Sequence, residues 1–484
     1  MNEKTINSSI YFLLSIIAFI LFGFSTFGIN FNLVAESIGI FSILRVIDGL
    51  PHISSLGEIP SHTSPYGAYF YIVIGKIFGI FNVKNLTVIT LICRFISIGF
   101  LLGIIRNAKE ESDQDKSWQI AYFTLFALAF PFMTIMIRSD WPAYFFEFLA
   151  LTILFKIPQQ NFDIKKIIIS GLLFSLAINF KLNSVGILTG CCIFYLWTKD
   201  FKKLFLLSSS FAIFTLLFLA LTYQHLGKNY LLHVLHTANY GLVPLSQWPG
   251  LIEKVFINTI YRPLFLWILI FTGFILEKNL RKQFSMIVFA ILTNFIIASV
   301  FQIKIGAAEN YYLPSFLCSI FLFKRGWLWF KTSTLSSNLE KKILKNLFSF
   351  SLILGIINFT TSTVPFLANQ TINYPYSQLI KFLDENASGK KVYTSDANLS
   401  VVLYPRVVLG PWDERGYLNS RYLKSNHAVE INEKLKNIDF AAYVTSGSNC
   451  DKTPPSSELL EIKTSNDLLL NKFKNICVWS KKNE

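Results

Sequence analysis

The stretch LFLLSSSFAIFTLLFLALTY, Leu204–Tyr223, is twenty residues long and carries no charged side chain. A helix of that length crosses a bilayer core of roughly 30 Å. The rest of the chain has the same character, because 52% of its 484 residues are hydrophobic and only 15% are charged. A soluble protein of this length has more charge and shorter apolar runs. The sequence therefore predicts a polytopic, mainly helical membrane protein.

Eleven apolar runs are long enough to be read as membrane spans. The predicted spans are residues 10–29, 87–105, 118–137, 141–157, 164–180, 184–198, 204–223, 260–276, 284–301, 308–323 and 346–366. The run 66–81 is left out because it is short, is interrupted by Lys76 and contains three glycines, and because counting it would place the basic loop 106–116 outside. It is better suited to a re-entrant or interfacial helix.

The distribution of Lys and Arg predicts the orientation. With the N-terminus in the cytoplasm, the basic loops 106–116, 199–203 and 324–345 all fall inside, as the positive-inside rule requires. The net charge of +15 is thereby explained without a nucleic-acid partner. We expect a multi-pass protein of the cell inner (plasma) membrane whose C-terminal segment lies outside the cytoplasm.

The composition changes sharply near residues 365–375, which predicts two domains. Residues 1–366 would form the transmembrane domain, including an outside segment at 30–86. Residues 367–484 would form a small extracytoplasmic α/β domain, with helices at 377–386 and 425–437 and strands at 391–394, 401–404, 440–445 and 476–479. Cys450 and Cys477 both lie in this tail, where they could form a disulfide.

Two carboxylates in the first outside segment are candidates for a general base. Glu36 follows the first predicted span, and Asp48 lies further into the segment. A carboxylate can take a proton from an acceptor hydroxyl within hydrogen-bond reach. An ordinary solvated loop carboxylate is the simpler interpretation of either residue.

A second group of charges lies in IRSDWPAYFFEF, Ile137–Phe148. Pro142 suits the first position of a helix and disfavours a helical Trp141, so Asp140 is predicted just outside the helix N-terminus. Arg138 lies at the depth of the membrane interface, where it is either an anchor or a ligand for phosphate. Glu147 lies two turns into the span, and a carboxylate at that depth should face protein or a water-filled cavity.

Two further segments place polar residues at the same predicted surface. Lys181 ends the fifth span, where it either extends its ammonium group to the interface or binds the phosphate of a lipid carrier. The connection QIKIGAAENYYLP, Gln302–Pro314, contributes Lys304, Glu309, Asn310 and Tyr311.

The order of these signals resembles the GT-C superfamily of membrane glycosyltransferases, in particular bacterial enzymes related to protein O-mannosyltransferases and aminoarabinose transferases. An acid follows the first span, and a Pro-Tyr-Gly segment with Tyr66 comes next. Arg-x-Asp, a Lys after the fifth span and Gly-x-x-x-Asn-Tyr at Gly306–Tyr311 follow in that order. The likeness extends to about residue 325 and implies a GT-C-like fold of about eleven transmembrane helices.

The resemblance also implies roles. Glu36 and Asp140 would be catalytic, and Asp48 remains a rival because Ile29–Asn32 replaces the Asp-Glu pair that many relatives have after the first span. Arg138, Lys181 and Lys304 would bind the donor phosphate. The cavity would be lined by Tyr66, Glu147, Glu309, Asn310 and Tyr311. A divalent cation, Mg²⁺ or Mn²⁺, would bind at Glu36 and Asp140 if the reaction needs one.

The implied reaction moves one sugar from a polyprenyl-phosphate-linked donor to a hydroxyl of a glycan, lipid or protein acceptor at the outer face, with inversion. A transporter or flippase of lipid-linked saccharides is an alternative, although no internal repeat supports it. A polysaccharide polymerase or ligase is a second alternative. It should carry an Arg-rich outside loop between late spans, and residues 224–259 carry only Lys228 and Lys254 as basic residues before the eighth span.

Overall fold

The computed structural model describes most of the chain as helix. The described residues are 34–54, 68–109, 117–130, 133–134, 137, 139–158, 161–238, 242–276, 281–303, 309–332, 339–363, 376–394, 396–408, 440–446, 456–457, 462–463, 469–473 and 476–480. The predicted span 10–29, the predicted helix 425–437, Tyr66, Arg138, Lys304 and Cys450 lie outside these residues.

Sixteen α-helices occur in the described residues. They are α1 Val34–Ile47, α2 Ala68–Ile80, α3 Leu86–Asn107, α4 Ser117–Ala129, α5 Asp140–Phe155, α6 Ile164–Phe180, α7 Gly186–Trp197, α8 Phe201–Ala238, α9 Trp248–Phe256, α10 Leu264–Leu276, α11 Arg281–Gln302, α12 Leu313–Cys318, α13 Ile320–Thr332, α14 Leu339–Asn358, α15 Tyr376–Asn386 and α16 Ala397–Val402.

Three of the described helices are long and apolar enough to cross a membrane, namely Leu86–Asn107, Phe201–Gly227 and Ser285–Gln302. A fourth span results if Leu245–Tyr261 and Leu264–Ile275, which meet at a 59° bend, count as one. The predicted membrane character therefore holds, whereas the predicted count of eleven stays a prediction. Several predicted spans are short helices, such as the twelve-residue α7, whose length of roughly 18 Å is less than a bilayer core.

Residue contacts divide the chain into two units. The first comprises residues 1–27, 93–220 and 242–369, and the second comprises residues 28–92, 221–241 and 370–484. The tail thus shares a unit with the first outside segment. The domain boundary at residue 366 stays a prediction.

The first unit has one large core, rich in aromatic side chains. α5 packs along α6, α7 along α11, and α10 along α13. The helices α10 and α13 approach each other at glycines. A Cβ atom on Gly273 would lie 2.0 Å from the Leu322 carbonyl oxygen, and one on Gly326 would lie 1.9 Å from that of Leu269. Small residues at a helix contact let the backbones come this close.

The second unit contains the described β-structure. Its main sheet has the order β1-β2-β6-β5, with β1 Lys391–Tyr393, β2 Phe440–Ser446, β5 Leu469–Phe473 and β6 Ile476–Ser480. β1 and β2 are parallel, and the other pairs are antiparallel. Ser456–Ser457 (β3) and Ile462–Lys463 (β4) form a separate two-stranded sheet.

One predicted strand of the tail is wrong. Residues 401–404 continue from helix α16 into a turn rather than forming a strand. The Asp396 carboxylate accepts a hydrogen bond from the Leu399 amide at 3.0 Å. This is an N-cap contact, which starts the helix that overrides the β-propensity of the valines. Helix α16 packs on α1, and the rings of Phe41 and Tyr404 lie 5.1 Å apart, edge to face.

Cys477 of β6 is disulfide-bonded, whereas Cys93, Cys191, Cys192 and Cys318 are free. The partner suggested by the sequence, Cys450, lies outside the described residues.

Candidate functional site

The N-terminus of α5 supplies the central carboxylate of the site. α5 begins at Asp140, so the prediction that Asp140 precedes the helix and that Trp141 is extended is wrong. Pro142 is the third helical residue, and it is tolerated there because the first-turn amides need no helical partner. The indole of Trp141 donates to the Met133 carbonyl at 2.9 Å, which fixes this first turn. Asp140 keeps the favourable position for a negative charge at a helix N-terminus.

Lys181 forms a buried ion pair with Asp140. It follows the last residue of α6 and has an extended backbone, with φ of −149°. Its ammonium group contacts Oδ1 of Asp140, and the two residues are only 7% and 3% exposed. Buried charges in proteins need such a partner, since an unpaired charge in this environment is strongly destabilising.

Tyr144 and Asn310 complete the polar cluster. The Lys181 ammonium donates to the Tyr144 hydroxyl at 2.7 Å, and this hydroxyl lies 3.2 Å from Oδ1 of Asp140. The Asn310 side-chain amide donates to the same Oδ1, and the Asn310 carbonyl contacts the Tyr144 hydroxyl. That hydroxyl has a single proton, so it donates to either the Asn310 carbonyl or Asp140.

Two aromatic rings flank the Lys181 ammonium. Its nitrogen lies 4.7 Å from the centre of the Tyr144 ring and 4.8 Å from that of Tyr311. At these distances the negative ring faces attract a cation. The rings hold the ammonium between α5 and the 3₁₀ turn Glu309–Tyr312 without providing further anionic charge.

Asn294 of α11 fixes the segment that carries Asn310 and Tyr311. Its side-chain amide donates to the Tyr311 carbonyl at 3.2 Å and to the Ser315 hydroxyl at 2.9 Å. α7 lies close against this part of α11, because a Cβ atom on Gly186 would be 2.2 Å from Oδ1 of Asn294. Sequence reasoning missed Asn294, whose one signal is a polar residue inside an apolar helix.

A small pocket adjoins this cluster. Its lining residues are Tyr144, Lys181, Asn183, Ser184, Asn294, Ile297, Ala298, Phe301, Tyr311 and Pro314. Sequence reasoning predicted Lys181 and Tyr311 as site residues but not Ser184. Tyr144 was also absent from the predicted set, although its position one turn after Asp140 could have indicated it.

Glu147 is almost completely buried, at 1% exposure. Among the residues that the structure describes, neither of its carboxylate oxygens has a hydrogen-bond partner. It lies on the same helix as Asp140 and Tyr144, as predicted, but the described structure does not connect it to the cluster by a hydrogen bond. The side chain of Glu309 lies outside the described residues.

The candidate bases of the first outside segment lie in the second unit. Glu36 is in the first turn of α1 and is fully buried. Asp48 follows α1 and forms an ion pair with Lys84 at 3.2 Å, with 31% of its side chain exposed. Burial raises the pKa of the nearby Tyr404 hydroxyl above its usual value, and the negative charge of Asp48 raises this pKa further. Asp48 therefore already has a cation and a phenol beside it.

The expected divalent cation does not fit the described carboxylates well. Oδ1 of Asp140 already accepts from an ammonium group and an amide, so a metal ion at this oxygen would compete with Lys181. Within the described ranges no three His, Cys, Asp or Glu residues are grouped so that they could hold a metal ion.

No protein-family model and no curated protein sequence matches the chain. Solved structures do. The apo crystal structure of ArnT, the aminoarabinose transferase, from Cupriavidus metallidurans has a TM-score of 0.61 at 12% identity, and the alignment covers 98% of each chain. This chain has the ArnT fold.

The likeness to aminoarabinose transferases that the sequence predicted is thus confirmed for the fold. ArnT bound to undecaprenyl phosphate matches with a TM-score of 0.57, again at 12% identity and 98% coverage of each chain. The archaeal oligosaccharyltransferase AglB from Archaeoglobus fulgidus, in complex with an inhibitory peptide and a dolichol-phosphate, matches with a TM-score of 0.49 at 11% identity. That alignment covers 90% of this chain and 69% of AglB.

Proposed function

We propose that this protein transfers a sugar from a polyprenyl-phosphate-linked donor to an acceptor hydroxyl at the outer face of the cell inner membrane. The observation that carries the proposal is the buried Asp140–Lys181 ion pair within a chain of the ArnT fold. A buried lysine between two tyrosines is suited to an anionic group at the end of a lipid.

Lys181 stabilises the departing phosphate. Charge accumulates on the phosphate oxygens as the glycosidic bond breaks, and a prearranged cation in a dry site favours that charge strongly. Asp140 positions Lys181 and orients the acceptor, while Tyr144 and Asn310 hold Asp140 in place. Arg138 and Lys304 are proposed as further phosphate ligands from their sequence positions alone.

Glu36 is the proposed base, which takes the proton of the acceptor hydroxyl as its oxygen attacks the anomeric carbon. Asp48 is the weaker candidate, because its carboxylate is already engaged in an ion pair with Lys84. A single displacement with one base inverts the anomeric centre. The C-terminal α/β region lies outside the cytoplasm in this proposal.

Mass spectrometry of a deletion strain tests the proposal. We expect a lipid-linked sugar to accumulate and one surface-glycan modification to disappear. Wild-type protein should restore the modification, and Glu36→Gln should not, at matched expression. Asp48→Asn is the matched control and should retain activity. Full restoration by Glu36→Gln would contradict the assignment of the base.

A transporter or flippase is the alternative that one observation favours, because Glu147 is a buried carboxylate without a hydrogen-bond partner in the described structure. Movement of a lipid-linked sugar across proteoliposome membranes without any glycosyl product would support this alternative over transfer.

A further inference from the structure

We propose that Ser184 and the N-terminus of α7 form, together with Lys181, a subsite for one phosphoryl oxygen of the donor. This inference rests on the proposed function and deepens it by naming the residues that recognise the phosphate. The sequence predicted Lys181 as a phosphate ligand, but it did not predict Ser184 or the start of α7 as its partners.

The Ser184 hydroxyl is the first observation. Ser184 is only 4% exposed and lines the pocket beside Lys181. Its hydroxyl oxygen is buried and has no hydrogen-bond partner in the part of the chain that the structure describes. A buried hydroxyl without a partner is unfavourable, so such a group is usually matched by a ligand or an ordered water.

The start of α7 is the second observation. Residue Val185 precedes the helix and supplies no side-chain cap. The first amide groups of a helix have no intrahelical acceptor, and the helix dipole adds a partial positive charge there. The turn between α6 and α7 is short, because the Ser184 amide donates to the Lys181 carbonyl at 2.9 Å. The ammonium, the hydroxyl and the helix N-terminus therefore belong to one turn of six residues.

The charge balance explains why Lys181 needs these additional donors. Its positive charge is already compensated by Asp140. An incoming phosphate would otherwise meet a cluster with no net charge and a nearby carboxylate. Neutral donors such as a hydroxyl and helix amides attract an anion without requiring the ion pair to break.

The size of the pocket limits the ligand group. Its free volume is about 10 Å³, the space of about one water molecule. It can hold a single oxygen atom but not a sugar ring. A phosphoryl oxygen fits both this size and the donors that Lys181, Ser184 and the helix end offer.

Binding of undecaprenyl phosphate to the full-length protein in nanodiscs tests the subsite. We expect Ser184→Ala to weaken binding about tenfold or more, because it removes one hydrogen bond to a charged oxygen. Ser184→Cys replaces the hydroxyl by a thiol, a weak donor, without leaving the site empty, and should weaken binding similarly, which separates the lost hydroxyl from a folding defect. Ser175→Ala is the matched control, since Ser175 is also fully buried but bonds to Thr215; it should bind within twofold of wild type.

The outcomes separate the two proposals. Binding by both Ser184 variants within twofold of wild type overturns the subsite and leaves the proposed function standing. A wild-type protein that does not bind the lipid phosphate at all contradicts both. Inorganic phosphate serves as the competitor in this binding experiment. If inorganic phosphate displaces undecaprenyl phosphate when the two are present at equal concentration, the site binds free phosphate, and the proposal of a lipid-linked donor is overturned.

Discussion

At the scale of single residues, the ion pair between Asp140 and Lys181 is the interaction that can be tested most directly. Removing one member leaves the other charge buried, which is destabilising on the order of 3–5 kcal/mol. We expect Lys181→Met to lower the thermal unfolding temperature strongly and the double variant Asp140→Asn, Lys181→Met to be less destabilised than the sum of the two single variants. Thermal unfolding in detergent measures this cycle. Additive effects would show that the two charges do not depend on each other.

For Glu147 we expect the opposite, namely that replacing the residue stabilises the protein. Burial of a polar group without a hydrogen bond is unfavourable by about 1–3 kcal/mol in proteins, and Met has a similar length without polar atoms. Glu147→Met should therefore raise the unfolding temperature. If the same variant fails to restore the glycan in the deletion strain, Glu147 is retained for function. A lower unfolding temperature would mean that the carboxylate is stabilising in the membrane.

Sequence reasoning identified the charged residues of the site but not their supporting partners. Asp140, Lys181 and Asn310 are conspicuous because they are polar residues at the ends of apolar runs. Asn294 and Tyr144 have only weak sequence signals, and the packing of α7 on α11 and of α5 on α6 brings them to the site. Ser184 has no such signal, because a serine in a membrane protein is common.

At the scale of elements, the glycine contact between α10 and α13 gives a sharp prediction. A methyl group at residue 273 would collide with the backbone carbonyl of Leu322, which cannot move without shifting its helix. We expect Gly273→Ala to be destabilising by about 1–3 kcal/mol, the usual range for overpacking.

Gly99 provides the matched control for that substitution. It also lies within a helix, but a Cβ atom there would have no neighbour within 4 Å. Gly99→Ala should be neutral or stabilising by about 0.5–1 kcal/mol, because alanine favours a helix. Equal effects of both substitutions on thermal unfolding would contradict the close contact between α10 and α13.

The positions of the helices were well predicted where an apolar run is bounded by charges. The prediction 164–180 coincides with α6, and 87–105 falls within α3. The prediction of helix positions was poorer where helices break. The run 308–323 became a 3₁₀ turn, α12 and α13, because hydropathy measures composition and is insensitive to the turn at Ser319 that separates the two helices.

At the scale of the whole molecule, the disulfide of Cys477 tests the orientation. Disulfides persist in oxidising compartments and are reduced in the cytoplasm. We expect a maleimide reagent to label Cys477 of the denatured protein only after reduction. In a variant with Ser at the four free cysteines, Cys450 and Cys477 are the two thiols left to label after denaturation. Labelling without reduction, in protein prepared with its native redox state preserved, would contradict a tail outside the cytoplasm.

Since the tail and the first outside segment belong to the same unit, we expect the tail to protect that segment from amide hydrogen exchange. Because α16 packs on α1 in this unit, deletion of residues 376–484 should expose Phe41 and its neighbours. We expect faster amide hydrogen exchange in α1 and unchanged exchange in α6, which belongs to the first unit. Unchanged protection of α1 would contradict this contact.

The hydrogen bond between Asn310 and Asp140 joins residues that are 170 positions apart in the chain. Contacts of such high sequence separation form late in folding, because long segments must be ordered before they meet. The polar cluster therefore reports on the assembly of the first unit as a whole. On gentle heating, ligand binding should be lost before helical content falls, since the helices are held locally and the cluster is not.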